Sequence, residues 1–213
     1  MPSSDDMPFA IGSTFFNGGT TDSTSGVEWE GREFDVLDLD YSGTLAKPRA
    51  FSNSTEIKRV RVVRNVCVSG SGGTTTGLLL PGFLVSFKLT KYGKQVDGYT
   101  TTTAAEGFPV DEFVVSTGVP INDLFYITVS GPASVMTSLA ANAEDVFSAG
   151  SVLVALTAAT SGATTAGRVS AQDLTGATAL LGNQIQNRVG VACSASTTAN
   201  TNVTKLCFVN YRL

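Results

Sequence analysis

From Val27 onward, apolar and polar residues alternate in short runs, the pattern of strands with one face buried. Val27 and Trp29 alternate with Glu28 and Glu30, and residues 34–41 (FDVLDLDY) set Leu37, Leu39 and Tyr41 opposite Asp38 and Asp40. Residues 57–68 (IKRVRVVRNVCV) put Val60, Val62, Val66 and Val68 on one face and Arg59 and Arg61 on the other. Along 83–89, Phe83, Val85, Phe87 and Leu89 point the same way. A Thr-rich run at 96–103 follows the turn Tyr92-Gly93-Lys94, and strands at 110–117 and 124–129 flank the break Gly118-Val119-Pro120. After Gly131-Pro132 the texture shifts to Ala, Ser, Thr and Gly, with strands expected near 133–138, 151–157, 166–171, 187–195 and 203–211. Only 139–147 and 174–186 read as helical, and two glycines weaken the second.

Short strands punctuated by turn residues at regular spacing predict an all-β fold. The expected form is an antiparallel sandwich or barrel with an extended N-terminal arm and at most two short helices. Three parts are expected: an arm over 1–26, a β domain over 27–131, and an Ala/Thr/Gly-rich β subdomain over 132–213 packed on the first. Val60, Val62, Phe83, Val85, Phe87, Phe125, Ile127 and Val129 are the expected core, because they repeat at strand spacing between turns.

Residues 1–26 hold Ser, Thr, Gly, Asp and Asn interrupted by Phe9, Ile11, Phe15 and Phe16, with no sustained period. Ordering such a segment costs roughly 1–2 kcal/mol per residue. Burying each of the four apolar side chains returns only ~1.5–3 kcal/mol. Backbone pairing with a neighbouring sheet supplies what is missing, so the arm is expected to lie extended on another subunit.

Composition narrows the chemistry. The 213 residues include no histidine, the side chain that titrates nearest neutrality and the commonest metal ligand. Most nucleophilic triads and zinc sites are excluded with it. The charged fraction is 15%, against ~25% for average soluble proteins, and a surface short of charge suits one covered by neighbours. A net charge of −4 argues against a nucleic-acid binder. No apolar run is long enough to span a membrane, and residues 1–16 lack the charged and apolar regions of a signal peptide. Cys67, Cys193 and Cys207 are odd in number and scattered, which predicts free thiols in a reducing compartment.

The remaining candidate sites are weak. Glu28/Glu30 and Asp38/Asp40 each share a strand face, an arrangement that in a cleft serves glycoside hydrolysis or Ca²⁺ binding, but acidic alternation more commonly marks a solvated edge. Residues 70–73 (GSGG) lack the Lys-Ser/Thr and following helix of a phosphate loop. The basic stripe Lys58, Arg59, Arg61 and Arg64 lacks interleaved aromatics for base stacking, and reads as a surface paired with carboxylates or facing an acidic protein patch. No catalytic residue, metal site or cofactor is expected.

Several short segments resemble capsid decoration (cement) proteins and minor head proteins of tailed bacteriophages. They are Val60-Arg61-Val62-Val63-Arg64-Asn65-Val66, Leu80-Pro81-Gly82, Pro109-Val110-Asp111-Glu112, Asn122-Asp123-Leu124-Phe125 and Gly131-Pro132. Ala149-Gly150-Ser151-Val152-Leu153, Ala166-Gly167-Arg168-Val169 and Arg188-Val189-Gly190-Val191-Ala192 extend the similarity toward the C-terminus. The resemblance covers roughly 32–213 and leaves out the arm. It implies a non-enzymatic protein on the capsid exterior, present in the host cytoplasm before assembly, that binds the major capsid protein and its own copies as a homotrimer. Phe9, Ile11, Phe15, Phe16, Arg59 and Arg61 are the expected partner contacts. A carbohydrate- or receptor-binding module of a viral fibre or tail is the alternative reading, although Trp29 and five tyrosines offer few aromatic platforms for sugars.

Overall fold

The computed structural model describes residues 26–37, 39–40, 47–48, 57–68, 76–100, 107–111, 117–137, 147–155, 166–172, 188–195 and 204–210. The arm contacts Phe9, Ile11, Phe15 and Phe16, the loop 70–73, and the two expected helices apart from Phe147 lie outside the described residues.

The fold is all-β. The strands are β1 (Glu33–Leu37), β2 (Leu39–Asp40), β3 (Lys47–Pro48), β4 (Ile57–Asn65), β5 (Leu84–Phe87) and β6 (Gln95–Tyr99). They continue with β7 (Phe108–Pro109), β8 (Leu124–Met136), β9 (Val152–Ala155), β10 (Val169–Ala171), β11 (Arg188–Ala192) and β12 (Thr204–Asn210). One ten-stranded sheet runs β10-β9-β11-β12-β8-β4-β6-β5-β7, with β1 also paired to β4, and β2-β3 form a separate two-stranded ladder. Every pairing between strands is antiparallel except the short β4–β6 step, where Arg64 and Asn65 run parallel to Gln95 and Val96.

The first part of this sheet closes on itself. From β8 the path goes through β4, β6 and β5 to β7, and Val110 just beyond β7 bridges back to Ile127 of β8. The Asp111 N–H donates to the Tyr126 carbonyl at 2.9 Å and completes the ring. Inside this small barrel lie Val63, Phe83, Val85, Phe87, Val96, Phe108, Phe125, Ile127 and Val129 among others. All eight residues expected in the core are buried. Val60 and Val62 occupy a separate cluster with Phe34, Leu124 and Tyr126 on the other face of the β4–β8 ladder. Leu124, Phe125, Tyr126 and Ile127 are therefore fully buried in succession, because both faces of β8 are covered.

Residues past 131 supply most of a further cluster: Ala133, Val135, Phe147, Leu153, Val169, Val189, Cys207 and Val209, joined by Leu84 from the outer face of β5. The boundary at 131/132 falls inside β8, which carries the chain from the barrel to the β9–β12 wing without interruption. Gly131-Pro132 is thus a kink within one strand rather than a break between strands. Gly131 has φ +100°, and a Cβ there would sit 2.8 Å from the Lys58 Cα, so glycine lets β4 and β8 approach at the irregular register between Arg59 and Val60. Pro132 lacks an N–H, and a strand distorted at this point tolerates it.

Three expectations of alternation fail locally. Val27–Trp29 is a 3-10 turn: Gly26 at φ +73° lets the Trp29 N–H reach the Gly26 carbonyl, and Val27 is exposed. The strand starting near Phe83 ends at Phe87, and Leu89 sits on the 3-10 turn Leu89–Lys91 with 89% of its surface exposed. There the Lys88 N–H pairs with the Gln95 carbonyl and closes the hairpin. The third failure is at the end of β4, where the strand stops at Asn65 and Val68 points to solvent. The expected strands at 151–157, 166–171, 187–195 and 203–211 match β9 to β12.

Candidate functional site

The polar chemistry of the described chain gathers on β4, because strand alternation sends its four cations to opposite faces. Lys58 and Arg64 share with Val60 and Val62 the face that packs against Phe34, Leu124 and Tyr126, and both are buried. Arg59 and Arg61 take the opposite face, where Arg59 is exposed and the Arg61 side chain is only 12% exposed. The basic stripe read from the sequence as one surface is therefore split, and half of it is interior.

Each cation meets a carboxylate. Antiparallel pairing sets Glu33 opposite Arg61 and Asp35 opposite Arg59. Arg59 Nε and Nη2 donate to the two oxygens of Asp35 at 2.7 and 3.1 Å, a two-pronged contact that suits the guanidinium fork. That contact holds the Asp35 carboxyl below its usual value, with burial opposing slightly, and raises Arg59. Arg61 pairs with Glu33 through Nε at 2.8 Å, and its guanidinium carbon lies 5.6 Å from the Phe87 ring centre. On the buried side, Arg64 pairs with Glu30 and donates from Nη1 to the Asn122 carbonyl at 2.6 Å. Lys58 Nζ is 3.8 Å from Asp111 Oδ1, and both side chains are at most 1% exposed.

Asn65, at the end of β4, is the polar hub of the barrel mouth. Its amide nitrogen donates to the carbonyls of Gly77, Val119 and Pro120 at 2.9, 2.9 and 3.1 Å, and its side-chain oxygen accepts from the Cys67 N–H at 2.9 Å. Its main chain bonds Asn122 and Asp123 as well. One short side chain thereby fixes three loops. Asn122 supplies the turn it meets, with φ +72°, a conformation asparagine tolerates better than most residues.

Arg168 is a third interior cation among the described residues, 5% exposed. It donates from Nη1 to the Thr137 carbonyl at 2.7 Å and stacks over Phe83 at 5.0 Å. Desolvation pulls its pKa down, and its Nε has no hydrogen bond among the described residues. Tyr99 nearby receives the Leu80 N–H at 3.0 Å and donates to the Leu78 carbonyl at 3.3 Å. Burial raises its phenol pKa.

The acidic pairs do not form clefts. Glu28 is exposed while Glu30 is buried on Arg64, since a 3-10 turn replaces the strand that would have aligned them. Asp38 and the Asp40 side chain lie outside the described residues. Among the described residues, no group of three or more His, Cys, Asp or Glu is placed to hold a metal ion, and no helix is long and apolar enough to cross a membrane. Cys67 and Cys207 are buried free thiols and Cys193 is an exposed one.

Sequence reading missed Glu33, Asp35, Glu30 and Asp111 as partners of the stripe. A signal for two of them was present: Glu33-Phe34-Asp35 reads acid-apolar-acid and Arg59-Val60-Arg61 reads base-apolar-base, complementary patterns for neighbouring strands. The turn at Val27–Trp29 hid Glu30, and nothing in the spacing linked Asp111 to Lys58. No family model matches this chain, and no curated protein or solved structure matches it either.

Proposed function

We propose that this chain is a structural virion protein that decorates the outside of a tailed-phage capsid, bridges major capsid subunits and assembles with its own copies as a homotrimer. The observation that carries the reading is the convergence of the segments resembling head proteins. The Gly82 N–H bonds the Val110 carbonyl at 3.1 Å, the Asn122 N–H bonds the Asn65 carbonyl at 2.7 Å, and Gly131 packs on Lys58. Several of these segments are joints of one closed barrel. A barrel cross-tied by Arg64–Glu30, Lys58–Asp111 and the Asn65 hub is a stiff body suited to carrying load between subunits. The half-exposed Arg59–Asp35 pair offers a partner charge of both signs. In this reading the 1–26 arm clamps neighbouring subunits through Phe9, Ile11, Phe15 and Phe16.

Quantitative mass spectrometry of purified virions tests the role: the chain should be present in copies comparable to the capsid lattice. Deleting residues 1–26 should abolish capsid binding and leave the unfolding midpoint of the isolated body unchanged. Normal decoration by the truncated chain overturns the clamp. Specific binding on a glycan array, with the chain absent from capsids, replaces the reading with a carbohydrate-binding module.

A further inference from the structure

The turn that displaces Leu89 from the core creates a surface that the β4 charges do not explain. Lys88, Lys91 and Lys94 fall within seven positions that contain no acid. Unlike the cations of β4, none of the three has an ion-pair partner among the described residues. At the centre stands Leu89, 89% exposed, with Tyr92 beside it, 52% exposed. An isolated exposed leucine needs no explanation. One ringed by uncompensated lysines on a rigid turn is a different case.

The turn is held in shape before any partner arrives. The Lys91 N–H donates to the Lys88 carbonyl at 2.9 Å and the Lys94 N–H to the Lys91 carbonyl at 3.0 Å. Tyr92 is braced edge-on against Phe87, ring centres 5.0 Å apart. A preformed apolar peg loses little freedom on docking, which is the condition under which a small contact binds.

The complementary charge lies on the same end of the molecule. The Lys94 stem passes the position of Gly31, where a Cβ would lie 3.2 Å from Lys94 Cγ, and Gln95 Nε2 is 3.4 Å from Glu30 Oε2. The Val27–Trp29 turn is thereby placed beside the lysine turn. On it, Glu28 is exposed with its carboxylate unpaired among the described residues, next to Val27 at 48% exposure. Asp97, two residues past Gln95, is likewise exposed and unpaired. Unpaired charges of both signs, with Lys88 beside the exposed Leu89 and Glu28 beside the exposed Val27, make this end self-complementary. An anionic membrane surface would be repelled by Glu28 and Asp97, whereas a second copy meets both signs.

We propose that the turn at 88–94 is a self-association surface, its Leu89-tipped basic end docking on the Val27–Glu28 corner of a second copy of this chain. The proposal rests on the homotrimer of the virion reading and names the surface through which its copies meet. It is measured on the purified chain alone, so its failure is distinct from failure to bind capsids.

Sedimentation velocity at about 0.1 mM protein and low salt should give a weight-average mass above the 22.1 kDa monomer. Raising salt to about 0.5 M should reduce it, because the Debye length shrinks below the spacing of the surface charges. Leu89→Asp and Lys91→Glu should each weaken association by at least about tenfold, the scale of a lost interface anchor. Both positions are exposed, so folding is preserved, which circular dichroism verifies. An equimolar mixture of Lys91→Glu and Glu28→Lys chains should regain association that neither shows alone. A wild-type chain that stays monomeric, a Leu89→Asp chain that associates normally, or a mixture without rescue overturns the proposal. So does Leu89-dependent binding of a monomeric chain to phosphatidylserine-containing vesicles, which assigns the turn to a membrane surface.

Discussion

Arg64 and Glu30 form an ion pair in which neither side chain is more than 3% exposed, and it ties the strand that founds the barrel to the turn that precedes β1. The pair lies at the point where β4 leaves β1 and turns to pair with β6. Taking both charges out of water is costly, so the arrangement stands only while each has its partner.

Glu30→Ala should accordingly destabilise the protein by about 3–5 kcal/mol, because it strands the Arg64 charge in the interior. The Asn122 carbonyl would remain as a hydrogen-bond acceptor for Arg64 but carries no compensating charge. The double variant Glu30→Gln with Arg64→Met should recover part of the loss, since it removes both charges together. Urea unfolding of the two variants checks this. A double variant less stable than Glu30→Ala would mean that the pair contributes more than charge compensation.

Asn65→Asp should be worse than Asn65→Ala. The alanine leaves three carbonyls and one N–H without their side-chain partner. The aspartate keeps the acceptor for the Cys67 N–H but turns an oxygen toward the carbonyls of Gly77, Val119 and Pro120, which now accept from the amide. A buried group left without its hydrogen bond costs about 1–3 kcal/mol, and a charged one more. Unfolding midpoints of the two variants, measured near neutral pH, give the ranking. Equal midpoints would indicate that water reaches the hub.

Phe83, Val85 and Phe87 were legible from their period of two, although Leu84 between them is buried as well, on the outer face of β5. The strands β9 to β12 were legible from β-prone runs between turns. What alternation concealed is the double burial of β4 and β8. With apolar clusters on both faces, Arg64 and Asn65 had to go inside, and in sequence they look like the exposed Arg59. The closure of the barrel through Val110 and Ile127 depends on contacts distant in sequence, and no local pattern encodes it. Leu89 shows the opposite failure. It keeps the period of its strand, but the hairpin hydrogen bond at Lys88 ends that strand first.

Two glycines with similar backbone angles should respond differently to the same change. Gly131 and Gly150 have φ of +100° and +90°. A Cβ at Gly150 meets nothing within 4 Å, so Gly150→Ala should cost only the backbone strain of a left-handed residue, about 1–2 kcal/mol. At Gly131 the methyl would meet the Lys58 Cα at 2.8 Å and the Ile57 carbonyl at 2.9 Å, atoms of the main chain that cannot rotate away. Gly131→Ala should therefore exceed Gly150→Ala by at least about 1 kcal/mol, in the range that overpacking costs. Comparable losses in chemical denaturation would show that β4 and β8 separate at this point without penalty.

The three cysteines give the most direct test of the β9–β12 wing. Cys193 is exposed and follows Ala192, whose backbone partner across the ladder is the buried Cys207. Burial pushes the Cys207 thiol well above its ordinary value of 9.0, with Cys193 adding to the rise. A group whose pKa is raised by folding contributes its full stability below the unfolded value and loses it as pH climbs toward the folded one. Stability should hold steady at neutral pH and decline from about pH 9 upward, reinforced above 10.0 by Tyr99, whose phenol is also raised by burial. Cys207→Ala should flatten the first part of that decline, although it lowers stability at neutral pH by opening a small cavity. A thiol reagent applied to the folded protein at neutral pH should modify Cys193 and spare Cys67 and Cys207 until denaturant is added. Modification of Cys207 as fast as Cys193 would mean that the wing opens readily, and the alkaline decline would then have to be sought in another group.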